Sequence, residues 1–370
     1  MNKHLHIISF DIPFPPSYGG VIDVYFKIKA LKAEGVKVHL HCFEYGRAHS
    51  TELNSICETV NYYKRKTGGK FLFSSFPFIV VTRSSEELMQ NLLKDDHPIL
   101  FEGLHCCYHL SDDRLKNRKK IVRTHNIEHD YYENLAKVER SFFKRMYFIK
   151  EARKLKAFES VLLKANTVIA ISPADTKQLA ARYNNVNHVT AFHPDEQVKV
   201  KEGRGDFVLY HGNLAIGENN EAALYLVNRI FSDINIKLII AGNDPSPELI
   251  STAKQNKNVS IQSDIPTDTI YELIRTAQIN ILPTFQATGI KLKLLAALFN
   301  GRHCIVNSLM VANTGSEELC SVMDTPKEMK KEVLRLFEKP FDNSEIKKRE
   351  EILMRDFSNR ESGKKLIQLI

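Results

Sequence analysis

The sequence predicts an α/β protein built from two doubly wound, Rossmann-like domains that face each other across a cleft. Three observations carry that prediction. Short apolar runs alternate with helical spacings along most of the chain; the alternation pauses between Asn184 and Asp206 and then restarts; and 370 residues exceed what a single core fills, about 100–200 residues per domain being usual. The expected division is residues 1–190, with a terminal helix of about 355–370 packing back onto it, and residues 191–354.

Composition narrows the function classes. Hydrophobic residues make up 43%, the value of an ordinary globular protein. A formal charge of +8 and a pI near 9.0 point to anionic partners: a phosphorylated ligand, an acidic membrane surface or nucleic acid. With no Trp, and no aromatics interleaved with the basic runs as a stacking platform would need, nucleic acid is not an expected partner. Cys42, Cys57, Cys106, Cys107, Cys304 and Cys320 have no CxxC spacing and no paired histidines nearby, so they read as reduced thiols of a cytosolic protein with no metal site. No apolar run approaches the ~20 residues that span a bilayer, and no signal layout opens the chain. Any membrane contact is expected to be peripheral.

In order, Leu5–Phe10 reads as a buried parallel strand. A Pro-rich loop, Asp11 to Gly20, ends in Gly19-Gly20; Val21, Val24, Tyr25, Ile28 and Leu31 then share one helical face, Gly35 stops the helix, and Val36–Phe43 is the next strand. This unit is a βαβ crossover with its glycine loop at the carboxyl edge of the sheet, where open α/β sheets bind ligands. It lacks GxGxxG, which argues against a dehydrogenase. Residues 61–70 read as a basic surface loop, and Ile99–Leu104 and Lys120–Arg123 as strands. The second strand leads into Thr124-His125-Asn126-Ile127-Glu128, placing His125 at a strand end. Residues 133–165 form a strongly basic helical stretch with interspersed aromatics. It fits an amphipathic face on anionic lipid, and it fits equally a solvated helix packing its apolar stripe on the sheet. Thr167–Ile171 is a strand, followed by a helix capped by Ser172 with Pro173 in its first turn.

Beyond the polar stretch 184–206, the expected strands are 207–211, 236–241, 259–262 and 279–282, separated by helices near 220–231, 247–254 and 267–276. They lead into Ile281–Asn307, where an apolar run, the small-residue loop Gln286-Ala287-Thr288-Gly289 and a helix from Ile290 to Phe299 precede another strand. Free backbone N–H groups at that helix start favour an anion such as phosphate. Lys291 and Lys293 oppose the helix dipole there unless an anion lies beside them.

These pieces, in this order, resemble the GT-B glycosyltransferases of the large retaining family numbered four. The resemblance covers nearly the whole chain. It rests on the Pro-rich loop ending at Gly19-Gly20, the Arg123–Glu128 string, Lys156 with Glu159, Tyr210-His211-Gly212-Asn213, Asn219-Asn220-Glu221-Ala222, Ala241-Gly242, Leu282-Pro283 and Gly289-Ile290-Lys291-Leu292-Lys293. It implies sugar transfer, with retention of configuration and no metal, from a nucleotide-diphosphate donor to an acceptor in surface-glycan assembly. The nucleotide sugar is a substrate, and no cofactor is implied. The donor belongs to the second domain and a sugar or lipid-linked acceptor to the first. The resemblance implies His125 and Thr288 as the groups nearest the reacting sugar. It implies Gly19, Gly20, Gly212, Asn213, Gly289, Ile290, Lys291 and Lys293 as donor contacts, and a cytoplasmic location with peripheral contact at the inner face of the cell membrane.

Two departures stand out. The family commonly carries two glutamates eight residues apart; counting back from Gly301, the corresponding residues are Thr288 and Ala296. The usual Arg and Lys after the first strand of the second domain are also missing, with Asn213 at the Arg position. Lys293 and Lys291 are then the nearest replacement cations. The departures keep open a catalytically silent GT-B scaffold; a nucleotide-sugar epimerase is a third, weaker reading.

Overall fold

A computed structural model describes residues 3–139, 141–285, 291–312 and 314–370. The chain divides into two compact units, Met1–Pro194 with Phe357–Ile370, and Asp195–Asp356.

The first unit holds a seven-stranded sheet of β1 (Lys3–Ser9), β2 (Val36–Glu44), β3 (Thr59–Lys64), β4 (Ile99–Glu102), β5 (Lys120–Thr124), β6 (Thr167–Ala170) and β7 (Val186–His188). Its order is β3-β2-β1-β4-β5-β6-β7, and every pairing is parallel. Both faces are covered, which is why the central strands are continuous apolar runs rather than alternating ones. On one face Leu5, Ile7, Val38 and Leu40 pack with Val24, Ile28 and Leu31 of the Gly19–Ala33 helix and Leu366 of the Asn359–Leu369 helix. On the other, Ile8, Phe43, Phe101 and Val122 pack with Leu155 and Leu162. Each such side chain, fully buried, stabilises the unit by ~1.5–3 kcal/mol. The Ser172 hydroxyl accepts from Asp175 N at 3.1 Å, with Pro173 in the first turn, as the sequence predicts for that helix start.

The structure corrects three expectations here. Residues 61–70 are not simply loop, because Thr59–Lys64 is strand β3; its mixed polar sequence is tolerated because it lies at the sheet edge. The opposite edge, β7, falls inside the stretch expected to be irregular linker. The basic stretch 133–165 is not one helix: Glu128–Val138 and Phe142–Phe158 pack against each other, and a tight turn over Glu159–Lys164 follows.

The second unit repeats the plan with six strands, β8 (Val208–His211), β9 (Leu238–Ala241), β10 (Val259–Gln262), β11 (Ile279–Leu282), β12 (His303–Val306) and β13 (Ser321–Val322). Its order is β10-β9-β8-β11-β12-β13, again all parallel. The Leu292–Asn300 helix carries the apolar face predicted for it and buries Leu294, Leu295, Leu298 and Phe299. In both units the strand order reverses beside the first strand, between β1 and β4 and between β8 and β11. That reversal parts the loops at the carboxyl ends of the strands and opens a crevice within each unit.

Candidate functional site

In the first unit the crevice is floored by buried charge. Asp23 and Lys27 lie one turn apart on the Gly19–Ala33 helix and face the sheet together with the apolar stripe. Lys27 Nζ donates to Asp23 Oδ2 at 2.8 Å and to Glu102 Oε1, at the end of β4, at 2.6 Å. Arg123, from β5, grips both Asp23 oxygens at 3.0 and 2.8 Å and donates to the carbonyls of Val189 and Thr190. Phe192 N donates to Asp23 Oδ1 at 2.8 Å. Two cations thus answer two carboxylates, the condition under which buried charges are tolerated. Burial alone would raise the Asp23 and Glu102 pKa values. Arg123, Lys27 and His125 outweigh it for Asp23, and Lys27 and His125 outweigh it for Glu102, so both carboxyls are held below their usual range.

His125 sits on this network. Its Nε2 lies 2.9 Å from Glu102 Oε2 and 3.9 Å from Asp23 Oδ2. An ionised carboxylate only accepts, so Nε2 carries the proton, and in the neutral ring Nδ1 is left as an acceptor. The Phe10 ring meets the His125 ring edge-on, centroids 5.5 Å apart. Asp23, Glu102 and His125 have donor types that hold cations elsewhere, but the Lys27 ammonium already lies between the two carboxylates.

A second group lies on the other side of Phe10, whose ring centroid is 5.5 Å from that of His105. His105 Nδ1 is 3.7 Å from Glu128 Oε1, and neither atom has a hydrogen-bond partner among the described residues. Burial pushes the Glu128 carboxyl up to about 8, only partly opposed by Arg83, and pushes the His105 imidazole well below its usual value. Both groups are therefore neutral near pH 7. Arg83 is held by the carbonyls of Phe10, at 3.0 Å, and Ile79, at 2.6 Å.

In the second unit the crevice forms around Asn219. Its carbonyl accepts from the Tyr210 hydroxyl at 2.9 Å, its Nδ2 donates to Asn213 O at 2.9 Å, and its Oδ1 accepts from Lys293 Nζ at 2.8 Å. Lys293 Nζ also lies 5.3 Å from the Tyr210 ring centroid, a cation–π approach. Burial draws the Lys293 pKa down to about 8, Glu218 opposing and Lys291 adding to the shift. His211, at the end of β8, is lowered to about 3 by burial and then by Lys293, and stays neutral. Lys291 differs from its neighbour: it pairs with Glu218 Oε1 at 3.0 Å, and Glu218 also accepts from the Thr284 hydroxyl.

The structure places the sequence-predicted residues as follows. Gly19 opens its helix with nothing within 4 Å of where a Cβ would stand, and no side chain caps that helix start. A Cβ on Gly20 would meet the Phe10 ring at 2.6 Å, so this glycine makes room for the aromatic ring beside His125. Gly212 packs on Asn219, and Asn213 accepts from Ala215 N at 3.1 Å to shape the following turn. Thr288, Gly289 and Ile290 lie outside the described residues. Ala296 packs against the core formed by Phe207, Leu209 and Ile239. Sequence reasoning missed Asp23, Lys27, Glu102, Arg83 and His105, and quoted Asn219 within a motif without giving it a role in the site. The 4-residue spacing of Asp23 and Lys27 within an apolar stripe was the available signal.

No family profile matches the chain. Over 330 residues, 84% of this chain and 84% of the other, it is 27% identical to an uncharacterized 44.6 kDa protein in the cps region of Klebsiella pneumoniae. Among solved structures it resembles sucrose-phosphate synthase from Thermosynechococcus elongatus, with a TM-score of 0.73 at 14% identity, covering 100% of this chain and 98% of that one. It also resembles the E. coli trehalose-6-phosphate protein bound with UDP-2-fluoro glucose, with a TM-score of 0.65 at 8% identity, covering 99% and 98%. The chain therefore has the fold of the GT-B glycosyltransferases. Among the described residues no helix is long and apolar enough to cross a membrane.

Proposed function

We propose that the chain is a glycosyltransferase that moves a sugar from a nucleotide-diphosphate donor to a surface-glycan acceptor, with retention of configuration and without a catalytic metal. The observation that carries this reading is Lys293, a half-buried lysine at the strand-order reversal of the second unit, with its charge answered only in part by Glu218. A departing diphosphate gains negative charge as the sugar becomes oxocarbenium-like. A fixed, desolvated cation stabilises that change far more than one in water. The GT-B fold and the cps-region relative support the same reading. In the first unit, the uncapped helix start at Gly19 offers N–H donors, and the Nδ1 of His125 suits a sugar or acceptor hydroxyl.

For the acceptor, the proposal extends to a lipid-linked sugar at an anionic inner membrane face. Phe142 and Phe143, 69% and 83% exposed, project at the start of their helix beside Lys144 and Arg145. Phe73, 85% exposed, joins them: Lys150 Nζ lies 5.9 Å from its ring centroid, and Lys154 Nζ donates to Leu72 O. Bare aromatics ringed by lysines match the layered polarity of an anionic lipid surface.

The deciding experiment is thermal denaturation with a panel of uridine, guanosine and adenosine diphosphate sugars, repeated with Lys293→Gln. At least one donor is expected to stabilise the wild type and to lose that effect in the variant. Stabilisation by none of them sinks the donor assignment.

A second reading, a catalytically silent scaffold, is favoured by two specific observations. Ala296 packs on the core where a ribose-binding glutamate is usual, and Lys291 is consumed by Glu218. Sugar transfer above background to any lipid-linked or soluble acceptor excludes it.

A further inference from the structure

At the opposite ends of the strands from the candidate site, β1 and β2 each carry histidines in alternation, His4 and His6 on one and His39 and His41 on the other. Parallel register puts His6 directly beside His39, so all four imidazoles lie on one face of the sheet. His97, two residues before β4, adds a fifth. Its ring centroid lies 4.4 Å from that of His4 and 5.8 Å from that of His39.

We propose that His4, His39 and His97 together bind one divalent transition-metal ion of the zinc, copper or nickel class. One ring nitrogen from each lies within 4.8 Å of the others, and all three residues are partly exposed, so an ion can enter from solvent. His4 Nδ1 and His39 Nε2 already face each other at 2.9 Å and share one proton. An ion replaces that proton. Two nitrogens bound to tetrahedral zinc at ~2.0–2.1 Å stand about 3.3 Å apart, so this pair has only a few tenths of an ångström to open. The three rings are near-parallel, within 15–16° of one another, so each must rotate, His97 out of its stack on His4, to aim a lone pair at the metal.

The surroundings are those of a ligand set. His39 Nδ1 lies 3.0 Å from Thr59 Oγ1, a hydroxyl able to accept the Nδ1 proton when Nε2 serves as the lone-pair donor. The turn carrying His97 is held by Asp95, which accepts from His97 N at 3.0 Å, and by the largely buried Arg118, which donates to His97 O at 3.0 Å. Asp95 also accepts from His6 Nε2 at 2.9 Å and pairs with Arg118 at 3.2 Å, so the group beside the three imidazoles holds one carboxylate and one guanidinium. Three imidazoles with no clustered oxygen donors favour borderline metals over Mg²⁺ or Ca²⁺. The site would join β1, β2 and the turn that leads into β4, and it is separate from the Asp23, Glu102 and His125 group, whose cation position Lys27 holds.

The test is calorimetric titration of the tag-free full chain with ZnCl2, alongside His97→Ala and His39→Ala and a MgCl2 control. One Zn²⁺ per chain is expected. His97→Ala is expected to weaken binding by more than the ~10–100-fold typical of losing a mere supporting contact, with its metal-free urea midpoint near that of the wild type because His97 lies outside the strands. A zinc-induced rise in unfolding temperature, present in the wild type and absent in both variants, supports the assignment independently. Absence of stoichiometric zinc binding, or binding unchanged in His97→Ala, overturns it.

Discussion

His125 Nε2 and Lys27 Nζ share one carboxylate: Glu102 takes the imidazole on one oxygen at 2.9 Å and the ammonium on the other at 2.6 Å. The histidine at the crevice is therefore oriented by a charge that itself depends on a residue buried beneath it. Glu102→Gln keeps the shape and removes the charge. It is expected to destabilise the first unit by about 3–5 kcal/mol, the cost of unmatching a buried ion pair. Lys27→Met should cost a similar amount. The double variant should cost less than the sum, with a coupling of ~0.5–3 kcal/mol, because each single change strands the other partner. Urea denaturation of the four proteins measures it, and strict additivity would show the contact to be energetically idle.

Glu128 gives the fold a pH dependence whose sign follows from burial. Its carboxyl is raised from 4.5 to about 8, so its protonated form is the one the fold prefers. The associated stability is fully present below pH 4.5 and is lost as pH rises through about 8, by an amount on the order of 3–5 kcal/mol. Glu128→Gln is expected to flatten the decline between those limits, read as unfolding free energy against pH. The lowered His105 imidazole acts in the opposite sense, losing stability as pH falls below its ordinary value, so it cannot produce the same decline.

The second unit was easier to read from sequence than the first, and the reason is where its strands lie. Ile279–Leu282 is a short apolar run, and Val259–Gln262, although an edge strand of mixed sequence, is bracketed by helices with clear starts at Pro247 and Thr267, so each of these elements falls where its pattern predicts. Strands β3 and β7 were missed because they are sheet edges: TVNYYK and VNH face solvent on one side and lack the unbroken apolar signature. At the candidate site, glycines and His125 announce themselves by type. Asp23, Lys27 and Glu102 do not, since a buried charge looks like a surface one until its partners, distant in sequence, are in place. The alternating histidines of β1 and β2 were not singled out from the sequence, and the contribution of His97 comes from a third segment that spacing cannot connect.

Among the described glycines of the second unit, Gly242 leaves the least room for a side chain. A Cβ there would stand 1.8 Å from Gly212 O, so Gly242→Ala forces β9 and the Gly212 turn apart. A loss of about 1–3 kcal/mol or more is expected, with donor binding impaired through displacement of Asn219. Gly217→Ala is the internal control: nothing lies within 4 Å of its added methyl, and stability should be unchanged or slightly increased. Thermal denaturation of both variants with and without a nucleotide sugar separates the two effects, and equal behaviour would contradict the packing argument.

The exposed aromatics of the first unit should act on membranes and not on folding. Phe142→Ser with Phe143→Ser removes two rings that are 69% and 83% exposed, so unfolding midpoints are expected to stay put. Co-sedimentation with vesicles of phosphatidylglycerol and phosphatidylcholine should fall by roughly 10-fold or more per ring, since each inserted Phe contributes ~1.5–3 kcal/mol. High salt should weaken the wild type further by screening Lys144, Arg145 and Lys150. Sedimentation that is equal for variant and wild type, or indifferent to anionic lipid, would leave these side chains as a solvated helix start.

Lys293 links donor affinity to pH. In the free protein its pKa is drawn down to about 8 by burial, so the ammonium that a diphosphate requires is present below that value and lost above it. A bound diphosphate raises the pKa again. Affinity for the nucleotide sugar is therefore expected to be level below pH 8 and to fall by about tenfold per pH unit beyond it. The neighbouring His211, lowered to about 3, is neutral throughout this window and contributes no slope. Lys293→Met should bind more weakly at pH 7 and show a flat profile. Lys291→Met tests the alternative cation: its charge is already offset by Glu218, so its removal should cost less, and because Lys291 helps hold the Lys293 pKa down the break should move above pH 8. Calorimetric titration of the three proteins between pH 6.5 and about 9.5 gives the comparison. A wild-type profile with no break would show that the Lys293 ammonium does not meet the phosphates, and would move the donor's charge partner elsewhere in the second unit.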